Sequence, residues 1–177
     1  MRDVTAIINQ SKKGDSGAQR RLYEQYRTLW FMICQRYLRS RDDALDVMQN
    51  ALVRIFTKLD TFDQELGSFK SWSSRIMVNE CIMFLRKRKL EFEHLDGGDD
   101  NLFIQEEENP IQKLSAEEIT KMIQKLPDGY RLVFNLNIIE GYTHKEIAEM
   151  LGISEGTSKS QLFKAKNLLK KQIEVIF

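Results

Sequence analysis

The chain has 177 residues, a formal net charge of +1 at pH 7 and 42% hydrophobic residues, values typical of a soluble globular protein. The length allows one ordinary domain or two small ones, no apolar run is long enough to span a membrane, and the N-terminus lacks a signal-peptide pattern. We therefore expect a cytoplasmic protein. Cys34 and Cys81 are isolated from each other and from His94 and His144, which gives neither a disulfide framework nor a zinc spacing. Both cysteines are predicted to be buried thiols.

Charge divides the chain into three segments. Residues 1–89 contain 17 basic and 10 acidic residues, a net charge of +7. Residues 90–112 contain no basic and 8 acidic residues (−8), and residues 113–177 contain 10 basic and 8 acidic residues (+2). The acidic segment lacks helical periodicity and contains Gly97, Gly98 and Pro110. This composition predicts a flexible linker at residues 93–112 between two small domains, residues 1–92 and 113–177.

Periodic apolar runs, with no alternating strand pattern, predict an all-α fold. In the first domain we expect helices at 4–12, from 16 to about 39, from about 42 to 59 and from about 69 to 89. On the third helix the predicted buried side is formed by Leu45, Met48, Leu52, Ile55 and Leu59. In the second domain, Ser115 and Glu118 have capping-box spacing at the start of a helix that ends near Leu126, and Asp128 starts another through about Ile139.

A polar loop at residues 60–68 separates the third and fourth helices, and Phe69, Lys70, Ser71, Trp72 and Arg75 follow it. Aromatic rings interleaved with cations and hydroxyls suit unstacked bases, because the rings stack on the bases and the cations hold the backbone. The spacing of Phe69 and Trp72 also fits two core residues, and we favour that interpretation for Trp72. A functional role of the loop itself does not depend on these rings.

The C-terminal part contains the signals of a helix-turn-helix. Thr143 and Glu146 have capping-box spacing, Gly152 stands where a left-handed residue turns the chain, and Ser154 is a good N-cap for the next helix. On that second helix the predicted core side consists of Leu162, Ala165, Leu169, Ile173 and Ile176. The opposite side is polar and basic, with Lys159, Ser160, Phe163, Lys164, Asn167, Lys170 and Lys171. A lysine-rich face on an isolated helix is as well explained by solvation, but the capped partner helix favours DNA binding.

Four blocks in this order and spacing resemble the extracytoplasmic-function (ECF) sigma factors of the bacterial sigma-70 family across nearly the whole chain. The blocks are residues 42–51; residues 67–72 with Arg75, Ile76 and Asn79; Leu126 and Pro127 with Tyr130, Arg131 and Phe134; and residues 142–166. The resemblance implies a helical region two, a linker and a helical region four with the helix-turn-helix. It also implies an RNA polymerase sigma factor that starts transcription.

Site residues and partners follow from the same resemblance. The face that docks core RNA polymerase would be formed by Asp46, Gln49, Asn50 and Val53. Contacts to the minus-ten promoter element would come from Lys70, Ser71, Ser74, Arg75 and Asn79. Contacts to the minus-thirty-five element would come from Thr157, Lys159, Ser160, Phe163, Lys164 and Lys166. The implied partners are core RNA polymerase, promoter DNA and an anti-sigma factor, with no cofactor, no metal, no membrane insertion, no small-molecule substrate and no catalytic residue.

Two departures from the family pattern concern the recognition helix. Lysines and Gln161 stand where the family usually has arginines, which weakens bidentate readout of guanine. Ser158 replaces a usual apolar residue, and we expect it to loosen the helix pair slightly. The rival function is a helix-turn-helix regulator with an N-terminal helical sensor or dimerisation domain, which would leave the loop and the Asp46 face unexplained. An enzyme fits least, because the sequence offers no nucleophile with a base and no metal cluster.

Overall fold

The computed structural model describes residues 4–93 and 116–176, and the chain divides into two compact units between Leu85 and Arg86. All regular structure within those two described ranges is helical, which confirms the predicted all-α fold. The predicted linker lies, apart from Glu93, outside the described residues, and so does Ser115 with its predicted cap. No helix in the described ranges is long and apolar enough to cross a membrane.

The first unit contains helices α1 (Val4–Lys12), α2 (Ser16–Tyr37) and α3 (Arg41–Thr57), a 3-10 turn (Leu59–Thr61) and the start of α4 (Phe69–Glu93). Short polar side chains fix where these helices begin. Asp15 Oδ1 accepts the Ala18 N–H at 3.0 Å, Ser40 Oγ the Asp43 N–H at 3.2 Å, and Ser68 Oγ the Ser71 N–H at 3.1 Å. Each of these bonds satisfies a backbone donor that the first helical turn leaves without a partner.

An aromatic cluster connects α2, the loop before α4 and α4 itself. The centroid of the Phe69 ring lies 5.2 Å from that of Tyr26, 5.5 Å from that of Phe62 and 5.6 Å from that of the Trp72 ring. The Trp30 indole N–H donates to Ser73 Oγ at 3.0 Å, so the one polar group of this buried ring is satisfied. The cluster therefore fixes the rotation of α4 about its own axis.

The buried side of α3 differs from the predicted one. Met48 and Ile55 are buried as predicted, and so is Leu59 in the 3-10 turn that follows α3, but Leu45 and Leu52 are only half-buried. Their places in the core are taken by Ala44, Val47 and Ala51. The physical reason is that helical periodicity gives the spacing of buried residues but not which of two adjacent sides is covered, and the side that α3 buries holds these smaller residues.

Cys34 on α2 and Cys81 on α4 are both buried and unoxidised, as predicted, although they come together in space. A hydrogen bond to Cys34 and burial away from water raise the pKa of Cys81 well above its usual value. Both thiols therefore belong to the core of the first unit.

The second unit contains α5 (Ala116–Gln124), α6 (Asp128–Phe134), a π-helical turn (Asn135–Ile139), α7 (His144–Leu151) and α8 (Glu155–Ile176). Its core is formed chiefly by Ile123, Leu126, Val133, Leu136, Ile147, Leu162 and Ala165. Arg131 is only 2% exposed, and its guanidinium donates to Leu126 O at 2.9 Å and to Asp128 Oδ1 at 2.7 Å. This buried cation fastens the end of α5 to the start of α6.

The apolar stripe predicted on α8 is only partly buried. Leu162 and Ala165 are in the core, Leu169 is half-buried and Ile173 is 39% exposed, while the Ile176 side chain lies outside the described part. The prediction for Ile173 was therefore wrong. An apolar stripe is buried only along the length that neighbouring helices cover, and periodicity alone does not reveal that length.

Candidate nucleic-acid interface

The helix-turn-helix has the local geometry that the sequence predicted. The Thr143 hydroxyl accepts the Glu146 N–H at 3.3 Å, and the Glu146 carboxylate accepts the Thr143 N–H at 2.8 Å, which completes the capping box. Gly152 is left-handed at φ 67°, ψ 37°, and Ser154 Oγ accepts the Thr157 N–H at 2.9 Å. These interactions are local, so the turn between α7 and α8 is specified almost entirely by its own residues.

Ser158 does more than the sequence indicated. Its side chain is fully buried, and its Oγ lies 2.8 Å from Nδ1 of His144 at the start of α7. The structure thus adds a hydrogen bond between the two helices at this position, and the expectation that the serine loosens the pair slightly stays a prediction. The bond joins the first turn of α7 to α8, and no local sequence pattern marks these two residues as partners.

The outward side of α8 carries the predicted contact residues. Lys159, Ser160, Phe163, Lys164 and Lys166 are all exposed, with Phe163 at 67%, whereas Thr157 is half-buried. Lys159 Nζ lies 3.8 Å from the Glu155 carboxylate, and Lys164 Nζ lies 5.9 Å from the centre of the Tyr130 ring. Such exposed contacts contribute less than about 1 kcal/mol each, so they orient both lysines and leave their charged ends accessible to solvent.

In the first unit a cleft of about 940 Å³ lies between α1, the loop at residues 60–68 and the start of α4. Asn9 and Lys12 of α1 line one side, and Phe62, Gln64 and Lys70 are among its other residues. Lys12 Nζ donates to the carbonyl oxygen of Phe62 at 2.8 Å, which holds the base of the loop. The sequence prediction missed the contribution of α1, since the contact joins residues fifty positions apart.

The predicted minus-ten residues line the accessible side of α4. Lys70, Ser71, Arg75 and Asn79 are exposed, and Ser74 is half-buried. Phe69 is buried in the aromatic cluster, whereas Trp72 is half-buried with its ring 5.5 Å from Phe62. The core interpretation is thus confirmed for Phe69, while Trp72 combines core packing with a surface position.

The predicted polymerase-docking residues of α3 share an accessible face. Asp46, Gln49, Asn50 and Val53 are all exposed, with Val53 at 64%. Beside them Arg54 Nε lies 2.7 Å from the largely buried Glu80 carboxylate of α4. This ion pair connects α3, which carries the predicted docking residues, to α4, which carries the predicted minus-ten residues.

Two family models match the chain: Sigma-70 region 2 over residues 22–91 and Sigma-70, region 4 over residues 116–169. The ECF RNA polymerase sigma factor SigW of Bacillus subtilis is 32% identical over 94% of this chain and 94% of its own. The ECF RNA polymerase sigma-E factor of Escherichia coli K12 is 25% identical over 95% of this chain and 93% of its own.

Two solved structures share the fold. One is CnrH in complex with the cytosolic domain of CnrY, with a TM-score of 0.53 and 21% identity over 98% of this chain and 99% of that chain. The other is the sigma factor RpoE in complex with the anti-sigma factor NepR from Bartonella quintana, with a TM-score of 0.54 and 24% identity over 88% and 96%. Taken with the matched regions and the full-length relatives, the helices and their exposed faces show that the chain belongs to the sigma-70 family, as an ECF-type RNA polymerase sigma factor.

Proposed function

We propose that this sigma factor docks on core RNA polymerase through α3, reads and opens the minus-ten element with the 60–68 loop and α4, and reads the minus-thirty-five element with α8. The observation that carries the proposal is that every residue assigned to these roles from the sequence is exposed or half-buried. We further propose that it acts in the cytoplasm and catalyses no reaction itself, since RNA synthesis belongs to the polymerase.

The outward face of α8 suits the major groove, where a recognition helix presents its N-terminal residues to base edges. Lys159, Ser160 and Lys164 lie in the first half of α8 and are exposed, and Lys166, also exposed, lies further along the helix. Lysine is a single charge rather than a two-pronged donor, so it discriminates guanine less sharply than arginine does. Phe163 offers an apolar surface to a thymine methyl group.

The cleft beside the 60–68 loop is large enough for a base that has left its stack. Lys70 and Arg75 supply positive charge for the backbone of the opened strand. Ser71, Ser74 and Asn79 supply hydroxyl and amide groups that can bond to base edges. Promoter reading in this unit would therefore take place on separated strands rather than on intact duplex.

The α3 face combines one charge, two amides and one exposed apolar side chain, in keeping with a transient protein interface. Asp46 and Gln49 lie about one helical turn apart and can contact a single partner element together. The solved structures similar to this chain contain the cytosolic domain of CnrY and the anti-sigma factor NepR as partners. On that basis we also propose that an anti-sigma factor binds this chain and blocks its docking to the polymerase.

Reconstituted transcription tests the proposal. Purified core polymerase is assayed on a matched promoter with wild-type protein, with Asp46→Arg/Gln49→Ala, and with the control Glu24→Arg/Gln25→Ala, which changes an exposed acid and an exposed amide on α2. We expect wild type and control to co-purify with core and to support initiation, and the α3 variant to do neither, because a reversed charge at a complementary interface costs several kcal/mol. Initiation that does not depend on this protein would favour the rival regulator. Unchanged core binding by the α3 variant would show that the docking face is misplaced.

A further inference from the structure

Leu66, at the tip of the 60–68 loop, is 88% exposed, more than any other large apolar side chain in the described residues. Single exposed apolar side chains are common, so exposure alone assigns no role to this leucine. What distinguishes Leu66 is its location, because it lines the cleft in which we place an unstacked base. It also stands four residues before Lys70, an exposed cation at the start of α4.

The loop that carries Leu66 is anchored on both sides of its tip. On the N-terminal side, Lys12 holds the Phe62 carbonyl at 2.8 Å, and Asp63 Oδ1 accepts the Glu65 N–H at 2.9 Å. On the C-terminal side, Ser68 caps α4. The chain turns at Gln64 and Glu65 and bends at Leu66, and Gly67 after it adopts φ 151°, a conformation that L side chains rarely take. Leu66 is therefore presented to solvent by a supported turn.

Apolar side chains that project toward DNA next to cations act as wedges. They enter a step between neighbouring bases, replace part of the lost stacking and so lower the cost of opening the helix. Phe62 and Phe69 also line the cleft, which gives the region an apolar side, and Lys70 can hold the adjacent phosphate. A leucine at the edge of this cleft would meet the base step next to the base that enters it.

We propose that Leu66 is an unstacking wedge, which enters the base step beside the captured base and lowers the cost of opening the minus-ten duplex. The inference rests on the proposed function, since it needs the loop to face promoter DNA. It deepens that function by separating two tasks within one loop. The cleft holds a base, and Leu66 assists the opening that delivers it.

The test compares Leu66→Ser with the conservative Leu66→Met and with Met83→Ser, a matched change at an exposed apolar residue of α4. Each variant is bound to core polymerase, and strand opening is followed by permanganate reactivity of minus-ten thymines. Two templates are used: intact duplex, and duplex mismatched across the minus-ten element so that it is already open. We expect Leu66→Ser to slow opening of intact duplex roughly tenfold, and to match wild type on the mismatched template.

Leu66→Met and Met83→Ser should behave as wild type on both templates. An equal deficit of Leu66→Ser on the two templates would overturn the wedge and assign the leucine to holding the strand. A loss of affinity of Leu66→Ser for core polymerase would overturn the wedge in favour of a contact with the polymerase. Normal opening of intact duplex by Leu66→Ser would show that Leu66 has no role in opening. Failure of the wild-type protein to open the duplex would instead refute the proposed function, so the two failures are distinguishable.

Discussion

Gly152 is the position in the helix-turn-helix where the backbone most restricts the choice of residue. Its φ of 67° is left-handed, and a Cβ added there would meet no atom within 4 Å. The cost of Gly152→Ala therefore comes from backbone strain alone, about 1–2 kcal/mol for an L residue. The smaller freedom of the unfolded chain returns about 0.4–1 kcal/mol. We expect a net destabilisation of about 1 kcal/mol, and a smaller one for Gly152→Asn, because asparagine tolerates this conformation.

Gly156→Ala is the matched control, because it adds the same methyl group four residues later. Gly156 lies in the first turn of α8 without a positive φ, and the nearest atom to its added Cβ is Ser154 Oγ at 3.6 Å. Alanine should stabilise that turn by up to about 1 kcal/mol. One methyl group is thus predicted to have opposite effects on the two sides of the same turn.

The measurement is native-state hydrogen exchange on the whole chain, since two separate units need not unfold in one transition. A loss of about 1 kcal/mol should speed exchange of the α7 and α8 amides about fivefold in Gly152→Ala, with the amides of α2 unchanged as an internal reference. Gly156→Ala should slow the same amides. Equal protection in the two alanine variants would refute the argument that conformation, rather than the added methyl group, decides the outcome.

Three further predictions follow from side-chain environment. Lys166→Ala should weaken promoter binding equally for all DNA sequences and reduce the slope of log affinity against log salt concentration by about 1. Lys164→Ala should instead cost roughly 1–3 kcal/mol of binding free energy on the matched promoter and relax the preference at one base pair. Binding titrations over a salt series would contradict this if the two variants behaved alike. Arg54→Gln should lower the unfolding free energy of the first unit, measured by hydrogen exchange, by roughly 1–3 kcal/mol, because it leaves the Glu80 carboxylate buried without its cation. Adding Glu80→Gln to this variant removes the buried charge and should restore the stability, which is the check. Cys81, whose thiol pKa is raised by the hydrogen bond to Cys34 and by burial, should resist iodoacetamide at pH 8 until the unit unfolds; rapid alkylation of the native chain would show that the thiolate is accessible.

Local interactions account for most of what the sequence predicted correctly. The capping box of α7, the left-handed Gly152 and the Ser154 cap each depend on residues at most four positions apart, so their chemistry can be read directly from the chain. The bounds of α1 were likewise correct, since Gly14 and Asp15 end one helix and start the next. The exposed residues of α8 were predicted from helical periodicity, because they lie on the side of the helix opposite to its apolar residues.

Contacts between distant residues account for what was missed. Lys12 meets Phe62 and His144 meets Ser158, across separations of 50 and 14 residues, and no local pattern marks either pair. The buried side of α3 was predicted at the wrong position, because helical periodicity gives the spacing of buried residues but not which of two adjacent faces of the helix is covered. Ala44 and Ala51 look unremarkable in the sequence, yet both are fully buried.

The aromatic cluster explains how the proposed DNA-contact surface of α4 is positioned by residues that lie in the core. Phe69, Ser73 and Met77 recur every four positions on the inner side of α4, and burial of all three leaves Lys70, Arg75 and their neighbours outside. A polar chain reinforces this orientation: the Trp30 indole donates to Ser73 Oγ, which donates in turn to the carbonyl oxygen of Lys70 at 3.2 Å. Because that carbonyl belongs to a proposed DNA-contact residue, the core and the interface share a hydrogen-bonded backbone group. Changes in the core around Trp30 would therefore reach the proposed promoter-reading face of α4 through the rotation of this helix rather than through any direct contact.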